Sequence, residues 1–292
     1  MKVKKLLAIA GLLGSAIGGN VSAATVYGLT SSNSLVMFDS ATPNAIIGSV
    51  AVTGLGTGQF FRGIDFRPAN GGLYGVSSDN RLYVINTGTG ASTVIGAPGE
   101  FTLSGSSFGF DFNPVVDRIR VTSDTGQNLR LNPNDGKLVL ADGTLKYAVG
   151  DTNAGRTPNI VGSAYTNSFS GTRITELYGI DSVLDVLVTQ TPPNDGTLVT
   201  DGSLGFDTGP NVGFDILALG NAAFASLAPQ GGASSFFSIN LDSGAATRIG
   251  AIGSGLNITD IAIQQVPEPE TLALVMIGLM GLVAGRRRSR RK

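Results

Sequence analysis

Histidine, cysteine and tryptophan are all missing from the 292 residues of this chain. Without cysteine there is no disulfide, no thiolate nucleophile and no zinc site of the usual Cys/His type. Without histidine a Ser-His-Asp triad is impossible. Any general acid or base falls to Asp, Glu, Tyr or Lys. Basic charge is also scarce in the middle of the chain. Residues 24–265 carry 11 Lys and Arg against 19 Asp and Glu, a net of −8, whereas the whole chain sums to only −1. An acidic body with few aromatic residues argues against a nucleic-acid partner, which would need a basic patch.

What is present is glycine, at 42 residues, with abundant Ser, Thr, Asn and Asp. That composition suits many strands joined by many turns. The missing balance of charge sits at the two ends. The N-terminus reads Met1-Lys2-Val3-Lys4-Lys5, then an apolar run over 6–17, then Val21-Ser22-Ala23. A basic start, a short apolar stretch and small residues before the cut mark a secretory signal peptide over 1–23, with cleavage after Ala23. A core helix is the alternative. The C-terminus reads Val266-Pro267-Glu268-Pro269, then an apolar run over 272–285, then an arginine-rich end at 286–292. As a helix that run spans about 21 Å, short of a hydrocarbon core of about 30 Å. The basic end stays in the cytoplasm, which places the body outside.

Val-Pro-Glu-Pro, a short apolar helix and an Arg-rich end, in that order, resemble the PEP-CTERM sorting signal over 266–292. An ordinary membrane anchor is the alternative. The resemblance implies cleavage at Pro267-Glu268-Pro269 by an exosortase, a transpeptidase-like membrane enzyme, after export by the Sec machinery. It also implies a Gram-negative bacterium that makes exopolysaccharide and biofilm, and a transient stay in the inner membrane before the cell surface or extracellular matrix.

Between the ends, 24–265 is a repeat. An apolar-Asp-apolar strand recurs at Gly63-Ile64-Asp65-Phe66, Gly109-Phe110-Asp111-Phe112, Gly213-Phe214-Asp215-Ile216 and Thr259-Asp260-Ile261, with a member that has lost its Asp near 161–165. After each comes a second β-prone run, at 26–30, 73–77, 118–122, 177–181 and 222–226, then a third ending in a tight turn such as Asn134-Asp135-Gly136 or Asp242-Ser243-Gly244. A fourth run closes each unit, as at 93–96 and 247–250. Four strands per unit with a period of 45–52 residues predict an all-β, five-bladed β-propeller. The chain starts on a second strand and ends on a first, so 257–265 and 24–54 share blade one. The others follow at 62–97, 108–147, 160–204 and 212–253. An antiparallel β-sandwich is the alternative, and the offset ends favour the ring. Gly-Ile-Asp-Phe-Arg-Pro at 63–68, Leu-Tyr-Gly at 73–75 and Pro-Pro-Asn-Asp-Gly-Thr-Leu at 192–198 resemble the bacterial extracellular family Domain of Unknown Function 4394. That family has no established activity.

In such a ring Asp65, Asp111, Asp215 and Asp260 are expected at equivalent heights around the central axis. Carboxylates about 10 Å apart repel by roughly 1–2 kcal/mol per pair at an effective dielectric near 20. Two readings relieve this: a cation such as Ca²⁺ held by the ring, or backbone N–H groups of the same and next blade that each Asp accepts from. Asp151-Thr152-Asn153-Ala154-Gly155 faintly resembles a calcium loop but lacks its Gly and Glu, and reads as a turn. Tyr74, Tyr83, Tyr147, Tyr165 and Tyr178 could stack on sugars or pack between blades. The expectation is a non-catalytic exported propeller with no cofactor, touching membrane only through its tail. The alternatives are a glycan-binding module, with Ca²⁺ in one form of it, and an Asp-based glycoside hydrolase.

Overall fold

The structure, a computed structural model, describes residues 23–265. The signal peptide expected ahead of Ala23, the sorting motif Val266–Pro269 and the apolar run after it lie outside the described residues. Blade one contributes β1 (Thr25–Thr30), β2 (Ser34–Asp39) and β3 (Thr42–Ala51). Blade two holds β4 (Phe61–Phe66), β5 (Leu73–Ser77), β6 (Leu82–Ile85) and β7 (Ser92–Ile95). Blade three holds β8 (Phe108–Asn113), β9 (Arg118–Ser123), β10 (Asn128–Leu131) and β11 (Leu138–Ala141). A short β12 (Lys146–Tyr147) precedes blade four, which is β13 (Ile160–Tyr165), β14 (Leu177–Asp181), β15 (Val186–Gln190) and β16 (Thr197–Ser203). Blade five is β17 (Val212–Ile216), β18 (Ala223–Leu227), β19 (Ser235–Ile239) and β20 (Ala246–Ala251), and β21 (Ile258–Ile263) ends the described chain.

Each blade is a four-stranded antiparallel meander in chain order, except that β21 pairs with β1 as the innermost strand of blade one. The fold is therefore the five-bladed propeller that the offset ends predict. The first strands β4, β8, β13, β17 and β21 each pack on the first strands of both neighbours, around one axis. Residues of these strands are buried on both faces, as expected of an innermost strand, whereas all of β11 and half of β7 are exposed at the rim.

One boundary moves. Lys146–Tyr147, assigned above to blade three, pairs in parallel with Thr197–Leu198 and forms a fifth strand of blade four. The cause is the Tyr147 ring, which is buried with Leu145, Ile160, Val186, Val188 and Leu198 and donates its hydroxyl to Asp181 Oδ2 at 2.7 Å. The turns after each third strand also do more than reverse the chain. Gly136 has φ +72°, and a Cβ there would lie 2.6 Å from the Ile95 carbonyl oxygen of the preceding blade. Glycine is thus required at this point for its conformation and for the close approach of two blades.

The apolar core is layered between blades. One cluster joins blades one and two through Tyr27, Leu29, Phe61 and Ile64. Others join two and three through Tyr74, Phe110 and Phe112, four and five through Val161, Ile180 and Phe214, and five and one through Phe224, Phe38 and Phe236. Among the described residues, no such cluster joins blades three and four.

Candidate functional site

The axis comes first. The strand pairings place Asp65 opposite Tyr74, Asp111 opposite Arg120 and Asp215 opposite Phe224. Ala164, opposite Tyr178, takes the same position in blade four, and Ala262, opposite Tyr27, takes it in blade one. Three aspartates are thus equivalent. Asp260 is not: it stands two residues earlier, at the level of Gly63, Gly109, Gly162 and Gly213, about 6–7 Å along the strand from the expected height. The glycines leave room there. A Cβ on Gly213 would lie 2.4 Å from the Ile261 nitrogen, and one on Gly63 would meet Phe110 Cβ at 2.5 Å and the Asp260 carboxylate at 3.3 Å.

All four aspartates are 2–5% exposed and tied to backbone. Asp65 accepts from its neighbour Phe66 N–H (2.6 Å) and from Phe112 N–H of the next blade (2.8 Å). Asp215 accepts from Ile216 N–H (2.6 Å) and Ile263 N–H (2.5 Å) in the same manner. Asp260 accepts from Ile261 N–H (2.9 Å) and Ile64 N–H (2.8 Å), and Asp111 from Tyr165 N–H (3.1 Å). Each carboxylate is a clasp from one blade to the next. Asp65, Asp111 and Asp215 also each bring one oxygen within 4.8 Å of the other two. Burial raises all four acids, and the charge of the neighbouring aspartates adds to it for Asp65, Asp111 and Asp260. Asp215 is pushed up to about 7, with its two backbone donors opposing the effect of burial.

The other sequence candidates resolve simply. Tyr74, Tyr83, Tyr147 and Tyr165 are buried packing residues, and Tyr178 is half-buried. Asp151–Gly155 is a turn in which Asp151 accepts from Asn153 N–H and from the Thr200 backbone and hydroxyl.

The feature that the sequence reading passed over lies between blades three and four. At the second-strand position where the other blades carry Tyr27, Tyr74, Tyr178 and Phe224, blade three carries Arg120. The four rings fill the gaps between blades; the guanidinium cannot, and it is 2% exposed. It donates to Asn128 Oδ1 (2.8 Å), Asp142 Oδ2 (2.6 Å), Asn194 Oδ1 (2.8 Å) and Tyr165 Oη (3.3 Å). Arg130, its cross-strand neighbour, grips the same Asp142 through Nε (2.7 Å) and Nη2 (2.9 Å). Asn128 and Gln190 both donate to the Pro193 carbonyl, and Thr122 bonds Ser163 across the two blades. A polar network replaces the missing apolar layer. On its outer side is a pocket of about 180 Å³ lined by Asn113, Arg118, Arg130, Tyr165 and Asn194 among others. An alignment of the five second strands, read for the odd residue instead of for β propensity, would have pointed to Arg120.

The family Domain of unknown function (DUF4394) matches residues 34–262. This chain belongs to that family. The PEP-CTERM protein-sorting motif matches residues 265–288, so this family member is an exported protein that carries an exosortase sorting signal. No curated protein matches it. Among solved structures, a protein of unknown function from Bacteroides thetaiotaomicron is 14% identical, with a TM-score of 0.47, covering 83% of this chain and 67% of that one. The glutaminyl cyclase of Myxococcus xanthus is 11% identical, with a TM-score of 0.44, covering 80% of this chain and 83% of that one. Likenesses this distant say nothing about activity.

Proposed function

We propose that this DUF4394 protein is a non-catalytic propeller of the cell surface or exopolysaccharide matrix. It is delivered there by its leader and its sorting signal. The observation that carries the reading is the employment of the ring aspartates. A glycosidase needs an acid and a base that a sugar and a water can both reach. Asp65, Asp215 and Asp260 instead spend both oxygens on backbone N–H groups, Asp111 spends one, and all four are nearly sealed from solvent. Their work is to hold first strands at a set spacing. The test is incubation of the exported protein with neutral and acidic polysaccharides, followed by measurement of new reducing ends. None is expected; release that disappears on replacing a pair of aspartates sinks the reading.

A second reading concerns the same ring. Three carboxylate oxygens within 4.8 Å of one another suit a hard cation such as Ca²⁺ as well as shared protons. Metal analysis of the purified protein distinguishes them: a stoichiometric ion that a chelator removes supports the cation, and a metal-free folded protein supports protons.

A further inference from the structure

We infer that the pocket between blades three and four is a binding site for a single oxyanion group, the carboxylate or sulfate of an acidic sugar residue. The inference rests on the matrix reading above and names its ligand class. The argument is one of donors without acceptors. Asn113 Oδ1 already accepts from the Val115 and Val116 N–H groups (3.0 and 3.3 Å), which pins the amide and leaves its NH₂ without a partner among the described residues. Asn194 Oδ1 accepts from Arg120, with the same consequence for its own NH₂. The Tyr165 oxygen accepts from Arg120 Nε, so its O–H proton is left to give. Arg118 donates only through Nη1, to the Val116 and Asp117 carbonyls (3.4 and 2.8 Å), leaving Nε and Nη2. Arg130 leaves Nη1. Every polar side chain on this wall therefore offers hydrogen and has its acceptor atoms used elsewhere.

The charge count agrees. Arg118, Arg120 and Arg130 line the pocket, and Asp142, 1% exposed behind it, is the one acid that pairs with any of them through a side chain. Asp117, next along the loop, is taken by Arg67. Asp111 is the cross-strand partner of Arg120, and burial favours its neutral form. A half-open pocket with this surplus of positive charge lies in a body of net charge −8. It is a local exception that an anion would neutralise. Guanidinium groups bind planar carboxylates and sulfates with paired, charge-assisted bonds. The position of the pocket is informative as well. Four of the five blade interfaces are closed by aromatic and aliphatic layers, and this one is given to polar groups that apolar packing does not need. Asn113 and Arg130 are half-buried and Asn194 is exposed, so a sugar chain passing the mouth could insert one anionic substituent.

The experiment titrates the exported protein with trigalacturonate, sodium sulfate and neutral maltotriose by calorimetry, alongside Arg118→Gln, Arg130→Gln and the double variant. Trigalacturonate or sulfate is expected to bind and maltotriose not to bind. The double variant should bind at least tenfold more weakly, with a thermal midpoint within a few degrees of wild type. Tighter binding of trigalacturonate identifies a carboxylate ligand, and tighter binding of sulfate a sulfate ester; either supports the site. Failure of both anions to bind wild type, or undiminished binding by the double variant, overturns it. Should Arg130→Gln fail to fold, Arg118→Gln decides alone, because its guanidinium holds only carbonyls of its own loop. None of these outcomes releases reducing ends, so the site can fail while the non-catalytic reading stands.

Discussion

A buried aspartate that accepts from two backbone N–H groups ties its protonation to folding. Burial lifts Asp65, Asp111, Asp215 and Asp260 above the ordinary carboxylate value of 3.8, Asp215 to about 7. The folded state therefore holds protons more tightly than the unfolded chain. The stability this contributes is complete below about pH 4 and is lost as pH rises towards 7. The thermal midpoint should be lower at pH 8 than at pH 5 by at least about 4 °C; a midpoint that rises over this range sinks the assignment. Added Ca²⁺ should reverse the loss only if the ring holds the ion. Asp65→Ala leaves the Phe66 and Phe112 N–H groups unpaired in the core and should cost about 2–5 kcal/mol in denaturant unfolding. Arg120→Met should cost about 3 kcal/mol, because Asp142 then keeps only Arg130 and Asn194 loses its donor. The aspartates were legible in the sequence because alternation marks a polar residue in an apolar strand. Arg120 was not, because a β-prone run containing Arg looks like any half-exposed strand until its neighbours are known.

At the level of elements, the first strands are held together by what they lack. Gly63, Gly109, Gly162 and Gly213 let neighbouring strands approach so closely that a Cβ on any of them would lie 2.4–3.0 Å from an atom of the next strand. Gly213→Ala would drive Cβ to 2.4 Å from the Ile261 nitrogen and 2.6 Å from the Asp260 carbonyl carbon, both backbone atoms that cannot swing aside. It should destabilise by about 3 kcal/mol or more, measured by urea unfolding. Asp260 fills this level in blade one, where no glycine stands, and spacing alone could not reveal that. A slip of two residues keeps every side chain on its own face of a strand, so the apolar-Asp-apolar pattern and the repeat period both survive it. A slip of one would have been visible at once. The Lys146–Tyr147 strand was misplaced for a related reason. Two residues are too few to show a period, and their sheet was decided by a distant bond, that of Tyr147 to Asp181.

For the whole molecule, closure is the decisive event. The offset of the two ends made the ring legible, since a chain that starts on a second strand and ends on a first needs its ends to meet. They do: β21 pairs with β1 from Val26–Ile263 to Thr30–Ile258, and Gln264 N–H extends the ladder to the Thr25 carbonyl at 2.9 Å. A chain stopped at residue 255 would lose the innermost strand of blade one. It would expose Val26, Ile64 and Phe224, leave the Ile64 N–H without its Asp260 acceptor and leave Asp215 without the Ile263 donor. It should fail to give a cooperative unfolding transition by circular dichroism; a sharp wild-type-like transition would show that four complete blades suffice.

The same closure governs how load would travel. The matched sorting motif begins at residue 265, directly after the last ladder bond, that of the Gln264 N–H to the Thr25 carbonyl. A pull applied there along β21 would enter the fold through this one strand. All its bonds to β1, and its clasps to blades two and five, would be strained together in shear, not opened one by one. The strand that completes the ring is also the one that would bear a pull applied at its C-terminal end.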